Sequence, residues 1–288
     1  MAKKAVGLIK CLSMIIVVVS IFTLNIEKPQ AMHNGYTNYY GIEMTNDEYF
    51  TLLNLGFTDD EIYYMTEETF DENKALDATL VATSHKYFKV TVPMYGASYT
   101  TEATEQEYLQ HTIGNTYEPL GYVDTYWIHE VANISENGSK YRYKNSVSWY
   151  NIPDVKSYDV TGIGFINSVY IDSSVYFNYT YANSSGNVTT STLYYNKKST
   201  ATGGSTVYKI PSNIVGLSSC IYFDVSKNTT DTLTSLTMCG DYAHSLQTVT
   251  ASQAASHGVN SGGIDFDVDV YNYFNEIPCA YANASVNW

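Results

Sequence analysis

A mainly β fold, an antiparallel β-sandwich preceded by a small helical unit, is what this 288-residue sequence predicts, and three observations carry the prediction. From Lys86 onward, short segments alternate apolar and polar residues with a period of two, and clusters of Gly and Asn separate them. Ahead of them, Thr45-Asn46-Asp47-Glu48 and Thr58-Asp59-Asp60-Glu61 both match the capping box, in which a threonine hydroxyl and a glutamate carboxylate satisfy free amides at a helix start. Finally, 29 tyrosines among abundant Thr, Ser and Asn suit strands that keep one face wet. A closed barrel is the alternative way to bury such strands.

Residues 1–31 read as a secretory signal. Lys3, Lys4 and Lys10 form a basic start, Leu12 to Leu24 is largely apolar, and Ala31 is the expected last residue removed. The charge-free run from Cys11 to Ile26 is shorter than the roughly 20 residues a bilayer needs, so no stable membrane span is expected after cleavage. Removal leaves 11 basic against 28 acidic residues, a net charge of −17 against −14 for the whole chain. That charge opposes nucleic acid and anionic membranes as partners. Export also permits a disulfide among the remaining Cys220, Cys239 and Cys279.

Residues 32–44 form a polar, Tyr-rich leader, and 45–78 the helical unit. Tyr49, Leu52 and Leu53 stand at helical spacing, Gly56 ends the first helix, and Ile62, Met65 and Phe70 continue short amphipathic turns. Met44-Thr45-Asn46-Asp47-Glu48-Tyr49, then Leu55-Gly56-Phe57-Thr58-Asp59-Asp60-Glu61-Ile62 and Met65-Thr66-Glu67-Glu68, resemble a segment of uncharacterised secreted proteins of Gram-positive bacteria. The likeness extends to Val147-Ser148-Trp149, Ile152-Pro153 and Ser157-Tyr158-Asp159-Val160. It implies an exported chain with helices first and a β-rich remainder, and brings no activity with it.

The sandwich domain is expected over 84–288. Lys86 to Val92 is a strand, and Thr100 to Thr112 is a short helix or loop. Val123 to Ile134 and Lys140 to Tyr150 form a hairpin across Ser135-Glu136-Asn137-Gly138. Further strands are expected over 157–167, 174–182, 188–195, 206–210, 245–250 and 263–270. A second hairpin is expected from Ser218 to Cys239. If paired residue numbers sum to 459, Ile221 faces Met238, Phe223 faces Leu236 and Cys220 lies opposite Cys239. That register predicts a Cys220–Cys239 disulfide.

Two stretches offer candidate chemistry. Lys140, Arg142 and Lys144 share one strand face and Tyr141 and Tyr143 the other. Such a strip suits an anionic polymer or glycan acid, or a charged outer face that blunts aggregation. Asp265, Asp267, Asp269 and Glu276 stand at positions of a calcium loop. Val270 replaces the glycine that loop requires, and the stretch reads better as a strand with one acidic face. Calcium is therefore disfavoured and no other cofactor is indicated. The six histidines show no metal-ligand spacing, and no Gly-x-Ser-x-Gly elbow, phosphate loop or dinucleotide fingerprint occurs.

These readings predict a secreted or cell-surface module that binds a glycan or protein without turning it over. A β-type toxin is the alternative, suggested by the Ser/Thr-rich, nearly uncharged stretch Val188 to Tyr208. A carbohydrate-active enzyme is the third, and needs two carboxylates placed together by the fold.

Overall fold

The computed structural model describes residues 35–93, 98–113, 123–152, 154–166 and 168–288; the expected signal over 1–31 lies outside them. The elements run β1 (Tyr36–Thr37), β2 (Glu43–Met44), α1 (Asn46–Asn54), α2 (Asp59–Tyr63), α3 (Glu67–Asn73), β3 (Ala78–Pro93), β4 (Tyr99–Ala103), α4 (Glu105–Ile113), β5 (Val123–Asn137), β6 (Lys140–Trp149) and β7 (Tyr158–Phe165). Then follow β8 (Val169–Ile171), β9 (Tyr176–Asn183), β10 (Val188–Ser191), β11 (Asn196–Thr200), β12 (Gly203–Lys209), β13 (Ile214–Lys227) and β14 (Ser235–Ser245). The chain ends with α5 (Ala251–Ala254), β15 (His257–Asn260), β16 (Gly263–Phe266) and β17 (Phe274–Ser285).

Two antiparallel sheets face each other, and neither closes into a barrel. One has eight strands in the order β10-β9-β13-β6-β5-β3-β4, with β8 beside β13; the other has five, β11-β12-β7-β14-β17. Their inner faces meet in one core. Phe88, Ile128, Tyr143, Trp149, Ile221 and Phe223 come from the first sheet, and Ile163, Phe165, Leu236, Met238 and Tyr242 from the second. Burying side chains of this kind stabilises a fold by roughly 1.5–3 kcal/mol each.

The expected hairpin β5–β6 forms, with Ile128 paired to Trp149, but its turn is tighter than the four residues Ser135–Gly138: Ser135, Glu136 and Asn137 pair with Arg142, Tyr141 and Lys140, and Gly138 takes φ 61° in the turn. The stretch 100–112 divides into β4 and α4, with Thr104 accepting from the Glu107 amide at the helix start.

The hairpin expected over 218–239 is absent. β13 pairs with β6 and β9, whereas β14 pairs with β7 and β17, so the two strands belong to opposite sheets. Their apolar residues meet across the core instead of side by side, and residues 228–234 arch from sheet to sheet. The same alternation serves a hairpin or an arch, which is why the sequence does not separate them. The disulfide follows this topology: it is Cys239–Cys279, with Cα atoms 5.6 Å apart, and not Cys220–Cys239. Cys220 points to the outside of the first sheet, under the helices, as a buried free thiol whose pKa burial pushes up to about 12.

Two strand predictions also change, and a further strand was not foreseen. Residues 245–250 lead into α5, started by a Thr250–Gln253 capping box. The strand at 263 ends at Phe266, leaving Val268 89% exposed in the turn beyond. β17 went unpredicted because Ala280, Ala282 and Ala284 mark its buried face weakly and Pro278 interrupts it.

Both predicted capping boxes are present, and Thr66 caps α3. Leu52, Leu55, Phe57, Ile62 and Phe70 pack on Cys220 and Tyr222 of β13, so the helical unit covers the part of the eight-stranded sheet's outer face around β13. Gly56 sits at φ +84° with Asn133 so close that a Cβ would overlap it, and its carbonyl accepts from Asn133 Nδ2 at 3.0 Å. The described part of the leader is pinned to the same unit by Asn38, whose Nδ2 donates to the Met65 carbonyl at 2.8 Å.

Candidate functional site

The strip Lys140–Lys144, read from the sequence as a candidate surface, is buried in the structure except for Lys140. Tyr141 and Tyr143 point into the core, and the opposite face is covered by the helical unit. Lys144 is fully buried, its Nζ 2.9 and 2.8 Å from the two Glu61 oxygens and also bonded to Ser146. Arg142 donates from Nε to Asp224 at 2.8 Å, also reaches Asn73, and lies over the Tyr222 ring at 4.8 Å. Lys140 stays at the surface, paired with Asp172 at 2.8 Å. Burial works against the Glu61 charge, but the charge and hydrogen bond of Lys144, with hydrogen bonds from the Thr58 amide and Ser146, outweigh it and hold that carboxyl below its usual value. Lys144, through Glu61, and Arg142, through Asn73, thus fasten helices to sheet, with partners far away in sequence.

The acidic residues of the calcium-like spacing are also dispersed in role. Asp265 faces outward on β16, Asp267 accepts from the Ser256 hydroxyl, and Asp269 lies in the turn beyond β16. Among the described residues no three His, Cys, Asp or Glu side chains form a metal-holding group. Glu276, on β17, faces a cavity.

That cavity, of about 500 Å3, opens beside the five-stranded sheet between β16, the turn at Tyr271–Tyr273 and the start of β17. Its origin is a bulge: β14 and β17 slip register between Gly240 and Tyr242, opposite Pro278 and Cys279. A proline is tolerated at such a point because no ladder bond is required of its nitrogen. Gly240 is needed there, since a Cβ would overlap Asn145 Oδ1. The walls are fixed by several ties. The Cys239–Cys279 disulfide joins the bulged strands, Asn275 Nδ2 donates to Thr100 Oγ1 at 2.8 Å, and Asp241 accepts from the amides of Ile264 and Tyr242, both at 2.7 Å.

Asp241 is 4% exposed, and its carboxyl is pushed well up by burial despite those two amides. With both oxygens held by backbone, it stiffens the wall. Behind it in the core lies Glu130, pushed up by burial and by Asp241, with Asn145 Nδ2 donating to it at 2.9 Å. The groups free to meet a ligand are Tyr271, at 54% exposure, Asn272, and the half-buried Glu276, whose pKa burial and Asp265 raise. Ser98 Oγ lines the same cavity, buried and without a hydrogen-bond partner. Apolar rims come from Pro278, Leu246 and Phe274. An aromatic ring, an amide, a carboxylate and a spare hydroxyl around a rigid cleft can hold hydroxyl-rich or amine-bearing ligands. Of these residues the sequence pointed only to Glu276, for a different reason.

No family model matches the chain, and no curated protein does. Among solved structures, the collagen-binding domain of the Erysipelothrix rhusiopathiae surface protein RspB aligns at 7% identity over 56% of this chain and 66% of that one, with a TM-score of 0.27. A pore-forming protein aligns at 10% identity over 57% and 79%, with a TM-score of 0.25. Clostridium perfringens delta-toxin aligns at 9% over 73% and 92%, with a TM-score of 0.23. Similarity at that level leaves function to be read from the residues of this chain.

Proposed function

We propose that this chain is an exported binding module that holds a polar ligand in the cavity beside β17 and does not turn it over. The observation that supports it is the cavity itself: ligand-sized, walled by a disulfide and buried polar ties, and lined by Tyr271, Asn272, Glu276 and the unpartnered Ser98 Oγ. Ligand pockets of about 300–1,000 Å3 with a few placed polar groups are the usual form of such sites. A non-enzymatic role fits Asp241, whose oxygens are committed to backbone amides and not offered to a reacting group. Export rests on the basic-then-apolar sequence of residues 1–31 and on the likeness to secreted Gram-positive proteins. No helix among the described residues is long and apolar enough to cross a membrane.

A glycan array together with pull-down from bacterial envelope material tests this reading. Saturable binding lost in Tyr271→Ala and Asn272→Ala supports it; turnover of the bound material, or binding indifferent to both changes, overturns it.

A second reading, a β-type toxin, has one observation of its own. β10 and β11 are outermost strands of different sheets, and the link between them exposes Leu193 at 75% beside Tyr194 and Tyr195. An edge segment of that kind is the part that would peel away into a bilayer. Dye release from liposomes is the outcome that would favour it.

A further inference from the structure

We propose that His85 and His129 form a clip for a divalent transition-metal cation of the zinc, copper or nickel class, on the outer face of the eight-stranded sheet and apart from the cavity. The two residues are far apart in sequence and neither lies in a ligand motif. The fold joins them: β3 pairs with β5 so that Tyr87 stands opposite His129, which sets His85 on the diagonal of the same face. His85 Nδ1 and His129 Nε2 lie 3.0 Å apart, with ring centroids at 5.3 Å and planes within 17°. Without metal, one ring donates its N–H to the lone pair of the other.

Two imidazole nitrogens bound to one zinc at 2.0–2.1 Å in tetrahedral geometry stand about 3.3 Å apart, so a spread of roughly 0.3 Å, with a turn of the His85 ring that aims both lone pairs at the metal instead of at each other, converts the pair into a chelate. The exposed His85 side chain is free to make that adjustment. His129 is held in place, with the Tyr87 ring stacked on it at 4.5 Å and 8° and Tyr108 packed at 5.8 Å. Thr83 Oγ1 stands 3.5 Å from His85 Nε2, where it can steady the outer nitrogen of that ring. Neutral imidazoles select borderline metals over calcium or magnesium, and solvent supplies the remaining ligands. A two-histidine site of this kind binds reversibly.

The test is calorimetric titration of the mature chain with Zn2+ at neutral pH, with His85→Ala, His129→Gln, His33→Ala and His111→Ala in parallel. One equivalent bound by the parent, weakened at least tenfold in both His85→Ala and His129→Gln and kept in the other two, is the expected result. His85 is exposed, so His85→Ala should retain the parent melting temperature without metal. No binding by the parent, or affinity unchanged in His85→Ala, overturns the proposal.

Discussion

Lys144 Nζ lies 2.8 Å from Glu61 Oε2 with the lysine fully buried, and this pair ties α2 to the middle of the eight-stranded sheet. Removing one partner strands a buried charge. Glu61→Gln or Lys144→Met should therefore cost about 3–5 kcal/mol in chemical denaturation, and the double change to apolar residues clearly less than the sum. Because the Glu61 carboxyl is held below its usual value when folded, its contribution is present above the unfolded pKa and is lost as pH falls through the folded one.

Asp60 should act in the opposite direction. Burial, then Asp59 and Glu61, raise its pKa from 3.8 to about 7. Its folded pKa exceeds the unfolded one, so stability contributed below pH 4 is lost as pH rises toward 7. Asp60→Asn should raise the melting temperature at pH 8 and leave it nearly unchanged at pH 4. His129 and His257, both pushed down to about 4 by burial first, destabilise the fold as pH drops from 6.5 to that value. The comparison must therefore be made between variant and parent at each pH.

Peptide mapping of the purified, oxidised protein should find Cys239 bonded to Cys279 and Cys220 unmodified by iodoacetamide until the chain is unfolded. With 40 residues in the closed loop, the chain-entropy estimate for this bond is roughly 4 kcal/mol. Cys239→Ala with Cys279→Ala should lower stability on that scale and loosen the cavity wall, weakening binding there as well.

Calcium should leave the melting temperature unchanged. Asp265 lies on a strand and Asp267 is engaged by Ser256, so the residues that match the calcium spacing do not wrap one point. A rise of several degrees on adding millimolar calcium, reversed by chelator, would contradict this.

Local chemistry was legible in the sequence and long-range pairing was not. Thr45, Thr58 and their glutamates, and Gly138 at the β5–β6 turn, work through neighbours a few residues away, so they were legible even where the turn's bounds were not. Phe223 and Leu236 carry an alternation that is the same for a hairpin and for two strands facing across a core. Lys144 read as a surface residue because its partner Glu61 comes from another element 83 residues earlier. The cavity depends on a bulge at Gly240, a distant disulfide and a turn at Tyr271, and no short pattern announces that combination.

The central claim is that ligand is held beside β17. Its most direct test is the binding isotherm of the strongest glycan-array or envelope hit against the parent, Tyr271→Ala, Glu276→Gln and Lys140→Ala, with ligand integrity checked after incubation. The expected result is affinity reduced at least tenfold in the first two variants, kept in Lys140→Ala, and ligand recovered intact. Equal affinity in all four proteins, or ligand consumed by the parent, would contradict the claim.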